Sequence, residues 1–143
     1  MKIQTEIVKD LAFKYHAGQY IRDGILYIQH PELVAYYLTL AGEEDDVIAC
    51  AWGHDLLENT AIMEKDFREA GVNETVITNI KVLTKNKGEY YSRYLKNISG
   101  YPIAKKVKII DIFCHLTDSP TNKQKDKYFL ALVYFGAGLV IKE

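Results

Sequence analysis

The chain has 143 residues, 48% hydrophobic and 26% charged, with three prolines, nine glycines and a formal net charge of -1. That length is enough for a core that folds without disulfides or a structural metal, and the composition excludes a disordered or low-complexity block. The near-neutral charge argues against a broadly basic surface, so nucleic acid is not an expected partner.

In chain order, the segment IVKDLAFKYHAG places Ile7, Leu11, Ala12 and Tyr15 on one helical stripe that stops at Gly18. GQYIRDGILYIQHP carries two glycines and no sustained period, and is expected to be a loop. Pro31 then suits the first turn of a helix, HPELVAYYLTLAG, with His30 at its entrance. Glu43, Glu44, Asp45 and Asp46 suit a helix N-terminus, and that helix is expected to run through DDVIACAWGHDLLE. Shorter helices are expected in MEKDFREAG, NETVITNIKVLTK and GEYYSRYLKNIS, the last ending near Gly100 and Pro102. IAKKVKIIDIFCHLTD has apolar residues at Ile103, Val107, Ile110 and Cys114, again at helical spacing, and a last helix is expected over 123–143.

No segment alternates long enough to make a convincing strand, so the expectation is an all-α fold in one domain over residues 1–143. The longest apolar run, 128–141, is shorter than the roughly 20 residues that cross a bilayer, and no membrane partner is expected. The N-terminus has no apolar stretch leading to a small-residue cleavage site, and Cys50 and Cys114 sit in ordinary sequence; both point to a cytoplasmic protein with free thiols.

Chemistry concentrates around AWGHDLLENT, where His54, Asp55 and Glu58 stand among small and apolar residues. A His-Asp dipeptide alone most often reads as a hydrogen-bonded core pair. Imidazole and carboxylate are also the ligands that divalent cations of intermediate hardness take, and two side chains alone hold an ion loosely. Two further residues qualify: His30 at its helix start and Asp111, the one acidic residue in an apolar helix. Burying Asp111 unpaired is costly, a cost that either a metal or Lys108 one turn earlier would remove. His115 is one turn after Asp111 and shares its face, as pocket wall or further ligand. His16 reads as a packed histidine bracing the next loop or as a pocket residue.

The order HAGQ, YIQHP, GHDLLENT, VLTK, GEYYSRYL and IAKKVKIID resembles the HD-domain metal-dependent phosphohydrolases, in the branch of the (p)ppGpp hydrolase domain of RelA/SpoT proteins and the small stand-alone SpoT homologues. The likeness runs from about residue 8 to about residue 135. It implies a compact helical bundle that holds one Mn²⁺ through His30, His54, Asp55 and Asp111, and a nucleotide substrate. In that family a Glu-Asp pair after the HD motif positions and deprotonates the attacking water; here Glu58 keeps the first place and Asn59 takes the second. An amide orients water but cannot take its proton. The basic pair after the HAGQ motif is Ile21-Arg22, so the residue that packs on guanine is lost and the next basic residue is kept. The asparagine four residues after the late aspartate is His115.

The resulting expectation is a metal-dependent phosphohydrolase of a nucleotide, a guanosine 3'-pyrophosphate being the first choice. Glu58 and Asn59 act at the water, and Arg22, Lys108 and His115 contact substrate. The alternative is a catalytically weak nucleotide-binding sensor; a metal-free helical interaction module is the third reading.

Overall fold

The computed structural model describes residues 2–136. Its first helix, α1 (Ile3–Tyr15), is followed by a small antiparallel hairpin, β1 (Tyr20–Arg22) and β2 (Ile25–Leu26). The remaining helices are α2 (Gln29–Leu40), α3 (Asp45–Gly53), α4 (Leu56–Asn59), α5 (Glu64–Ala70), α6 (Glu74–Leu83), α7 (Tyr91–Ser99), α8 (Pro102–Leu116) and α9 (Asn122–Tyr134). The fold is all-α with that one hairpin added. No helix among the described residues is long and apolar enough to cross a membrane.

The centre of the bundle is α3. Every residue from Val47 to Gly53 is buried, and α1, α2, α6 and α8 all pack on this helix. A helix buried on every face must be apolar all round, which VIACAWG satisfies. Gly53 is required by close approach: a Cβ there would lie 2.6 Å from Ile80 Cδ1 and 2.9 Å from Val8 Cγ1. Its missing side chain is what lets α1 and α6 close on the end of α3. Polar tethers fix the same packing. Asp45, the first residue of α3, accepts hydrogen bonds from the Gln4 and Thr5 amides at 2.8 and 2.9 Å, capping α1 from outside its own sequence.

Two expectations change. The loop over 18–31 contains a hairpin whose turn is Asp23-Gly24, both with positive φ (42° and 78°), the geometry this dipeptide favours between strands. Its strands are too short and too exposed to show alternation. Pro31 falls in the first turn of α2 as expected, at its third position with His30 just before it, where it withdraws no needed N–H. The helix expected through Glu58 breaks after Gly53, and Pro102 begins α8 as well as closing α7. The last helix extends to Tyr134; its expected continuation from 137 to 143 lies outside the described residues. Cys50 and Cys114 are buried free thiols; burial pushes both up, Cys114 to about 11.

Candidate metal centre

The break in the α3–α4 segment makes the site. On an unbroken helix, successive side chains diverge by about 100° and adjacent residues aim at different neighbours. After Gly53 the α-helix gives way to a turn over His54 and Asp55, and the His54 imidazole closes the end of α3 by donating from Nδ1 to the Ala51 carbonyl at 2.6 Å. A carbonyl only accepts, so the proton sits on Nδ1 and Nε2 is directed at Asp55 and at the facing helices.

His30 from α2 and Asp111 from α8 meet it there. His30 Nε2 lies 2.7 Å from Asp111 Oδ1, 3.3 Å from His54 Nε2 and 3.8 Å from Asp55 Oδ2. His54 Nε2 lies 3.1 Å from Asp55 Oδ2 and 3.3 Å from Asp111 Oδ1. Ligand atoms each about 2.1 Å from one ion are separated by about 3.0 Å in octahedral and about 3.4 Å in tetrahedral arrangement. His30, His54 and Asp55 stand close enough to share one cation, and His30 and Asp111 belong to a second such group with His115. His54 and Asp111 are 3% and 2% exposed, a depth at which two imidazoles and two carboxylates need a positive charge among them.

Burial opposes the charged form of His54, but the Asp55 and Asp111 carboxylates outweigh it and hold the imidazole well above its usual range. Burial likewise opposes ionisation of Asp111, and the Lys108 ammonium, followed by His54, brings it well below the usual carboxylate range. Asp55 shifts the same way, chiefly through His54 against burial. Lys108 Nζ sits 3.0 Å from Asp111 Oδ2 and 5.3 Å from the Tyr94 ring centre, while His30 Nε2 faces the other oxygen, Oδ1, at 2.7 Å.

The remaining predicted residues divide. Glu58 and Asn59 line the same cleft of about 240 Å³ as His54, Asp55 and Lys108. Glu58 Oε1 accepts from the Lys85 amide at 3.0 Å, while the Asn59 amide group donates to the Tyr27 hydroxyl at 3.1 Å. His115 Nε2 is 3.2 Å from Asp111 Oδ1, and its ring stacks on Tyr128 with centroids 5.3 Å apart. His115 can thus join His30 and Asp111 as a second metal-binding group that overlaps the first. Arg22 is not among the residues lining this cleft; its guanidinium pairs with Asp118, Nη1 to Oδ2 being 3.0 Å. A second, larger groove of about 770 Å³ shares Tyr27 and His115 with the cleft and includes His30, Ile21, Leu33 and Tyr36.

Sequence reasoning missed Tyr27, Lys85, Lys127 and Tyr128, which also line the cleft. Tyr27 opens the YIQHP motif and Lys85 closes VLTK, but among eleven tyrosines and eighteen basic residues nothing local singles out Lys127 or Tyr128. Of the three tyrosines in GEYYSRYL, Tyr94 is buried with its hydroxyl on the Leu83 carbonyl at 2.6 Å, Tyr91 lines the cleft and Tyr90 is exposed. His16 is packed and braces the loop through Gln19, as one of its two readings had it.

No family model matches the chain. Among solved structures it is similar to one described as a metazoan ortholog of SpoT that hydrolyzes ppGpp and plays a role in starvation responses. The TM-score is 0.74 and the identity 21%, over 90% of this chain and 80% of that one. At that identity the likeness establishes a shared fold, the compact helical bundle expected from the motif order.

Proposed function

We propose that this chain is a metal-dependent phosphohydrolase acting on a nucleotide, with guanosine 3'-pyrophosphates the first substrates to test. The observation that carries the reading is the meeting of His30, His54, Asp55 and Asp111 at ligand spacing, from three separate segments. The described activity of the structural neighbour supports the choice of substrate. These four side chains would hold one divalent cation, Mn²⁺ being first choice. The chemistry such a cation supplies is Lewis-acid polarisation of a phosphoryl oxygen and acidification of water.

The chain's own groups do the rest. Glu58, anchored by the Lys85 amide, would orient the attacking water and accept its proton, since Asn59 beside it has no basic atom. Lys108, with Lys85 and Lys127 along the same cleft, would balance phosphate charge. His115 would stand at the wall common to the cleft and the larger groove, where the base of the nucleotide would lie near Ile21. Arg22 would reach a phosphate only by leaving Asp118.

The test is a Mn²⁺-supplemented screen of nucleotides that reads released phosphate and pyrophosphate separately, with His54→Ala as the paired variant. Expected is hydrolysis that disappears in His54→Ala and on chelation. Tight nucleotide binding without product would replace the enzyme by the sensor, and preparations indifferent to Mn²⁺ would leave only the interaction module.

A further inference from the structure

Asp55 is held by more than its histidine neighbours. The Oδ2 atom that faces both imidazoles also accepts the Tyr27 hydroxyl proton at 2.7 Å. Tyr27 in turn accepts from Asn59 Nδ2 at 3.1 Å. A phenol has one proton to give. With that proton on Asp55, the group at position 59 must be a donor, and an amide is one. An aspartate there would compete with Asp55 for the same proton.

The backbone of Asn59 is pinned as well. Gln19 Nε2 donates to the Asn59 carbonyl at 2.7 Å, and Gln19 Oε1 takes the His16 Nδ1 proton at 2.8 Å. The His16 ring packs 4.9 Å from that of Tyr27. Tyr27, Asn59, Gln19 and His16 thus close a ring of contacts whose hydrogen bond to the cluster is the one from the Tyr27 hydroxyl to Asp55.

We infer that Tyr27 is a positioning residue for the proposed metal ligand Asp55, and that Asn59 serves by keeping the Tyr27 proton aimed at that carboxylate rather than by acting on water. The inference rests on the metal reading of the site. Hydrogen bonds to ligating groups fix their orientation, and losing one weakens metal affinity by about 10- to 100-fold.

The experiment titrates the metal-stripped full chain with Mn²⁺ at about 0.15 M salt, where exposed charges are screened beyond about 8 Å. Tyr27→Phe keeps the ring and removes the donor. Expected is an affinity weaker by about 10- to 100-fold, an unchanged metal-free melting temperature, and a kcat that recovers at saturating Mn²⁺. Asn59→Asp is expected to weaken Mn²⁺ binding in the same direction. Equal Mn²⁺ affinity in wild type and Tyr27→Phe overturns the positioning role while leaving the metal site intact, whatever happens to the melting temperature. A higher kcat in Asn59→Asp with unchanged affinity overturns the role given to Asn59 and returns that position to water. A wild type that binds no Mn²⁺ overturns both this inference and the function it rests on.

Discussion

At the scale of single residues, Gly53 decides whether the pair that follows it can reach its place. Replacing it by alanine favours helix by about 1 kcal/mol through backbone propensity. Against this, the new methyl meets Ile80 and Val8 below 3.0 Å, and overpacking of a closed core costs about 1–3 kcal/mol. The clash wins, because the neighbours are buried in the same core and have little room to yield. Gly53→Ala is expected to lower stability in urea melts and weaken Mn²⁺ binding together, since His54 is the next residue. A variant as stable as wild type would show that Ile80 swings aside freely. Residues of the cluster were legible in the sequence because charge in an apolar stripe is conspicuous: Asp111 is the one acidic residue in KIIDIFC, and His54 and Asp55 stand alone in AWGHDLL. Tyr27 was not. A tyrosine ring fits a core and a surface equally well, so only coordinates show where its hydroxyl points.

At the scale of elements, α1 and α3 are joined through Asp45. The Lys2 N-cap position gives α1 no side-chain acceptor, and the Asp45 carboxylate supplies one to the second and third amides. Burial raises the Asp45 pKa, but the Thr5 and Gln4 amides outweigh it, and the group lies below its usual range. A folded pKa below the unfolded one gives stability that is present above the unfolded value of about 3.9 and is lost as pH falls through the folded value. Asp45→Ala should therefore cost about 1 kcal/mol at neutral pH, the usual worth of a cap. The gap between variant and wild type should shrink as unfolding is followed below about pH 3.9. A gap that does not change with pH would mean that packing, not charge, ties the two helices. Helical period made these elements readable, yet it hid the break between α3 and α4. Leu56 and Leu57 continue the apolar pattern past Gly53, and only the capture of the Ala51 carbonyl by the His54 ring ends the helix. The hairpin escaped for the opposite reason, with a turn signal but strands too short to carry a pattern.

At the scale of the whole molecule, the four proposed ligands come from α2, the α3–α4 break and α8, so only the assembled bundle presents them together. A cation that binds the folded chain alone stabilises it, by about 2.7 kcal/mol when free metal is one hundred times its dissociation constant. Calorimetric melts should rise with Mn²⁺ and fall back on chelation; melts that ignore the ion would remove the basis of the proposed chemistry. The overall architecture was readable because motif order and helical period agree along nearly the whole chain, whereas the two adjoining cavities arise from contacts between distant segments and leave no local trace. The seating of the pair at the end of the most enclosed helix has a practical outcome. Damage to oily residues far from the cleft will register as lost Mn²⁺ binding, since four helices press on α3, whose end leads into His54 and Asp55. A survey of variants that lose Mn²⁺ would therefore outline the hydrophobic interior as readily as the proposed metal centre, and soluble yield must be measured beside binding before any position is assigned to ligation.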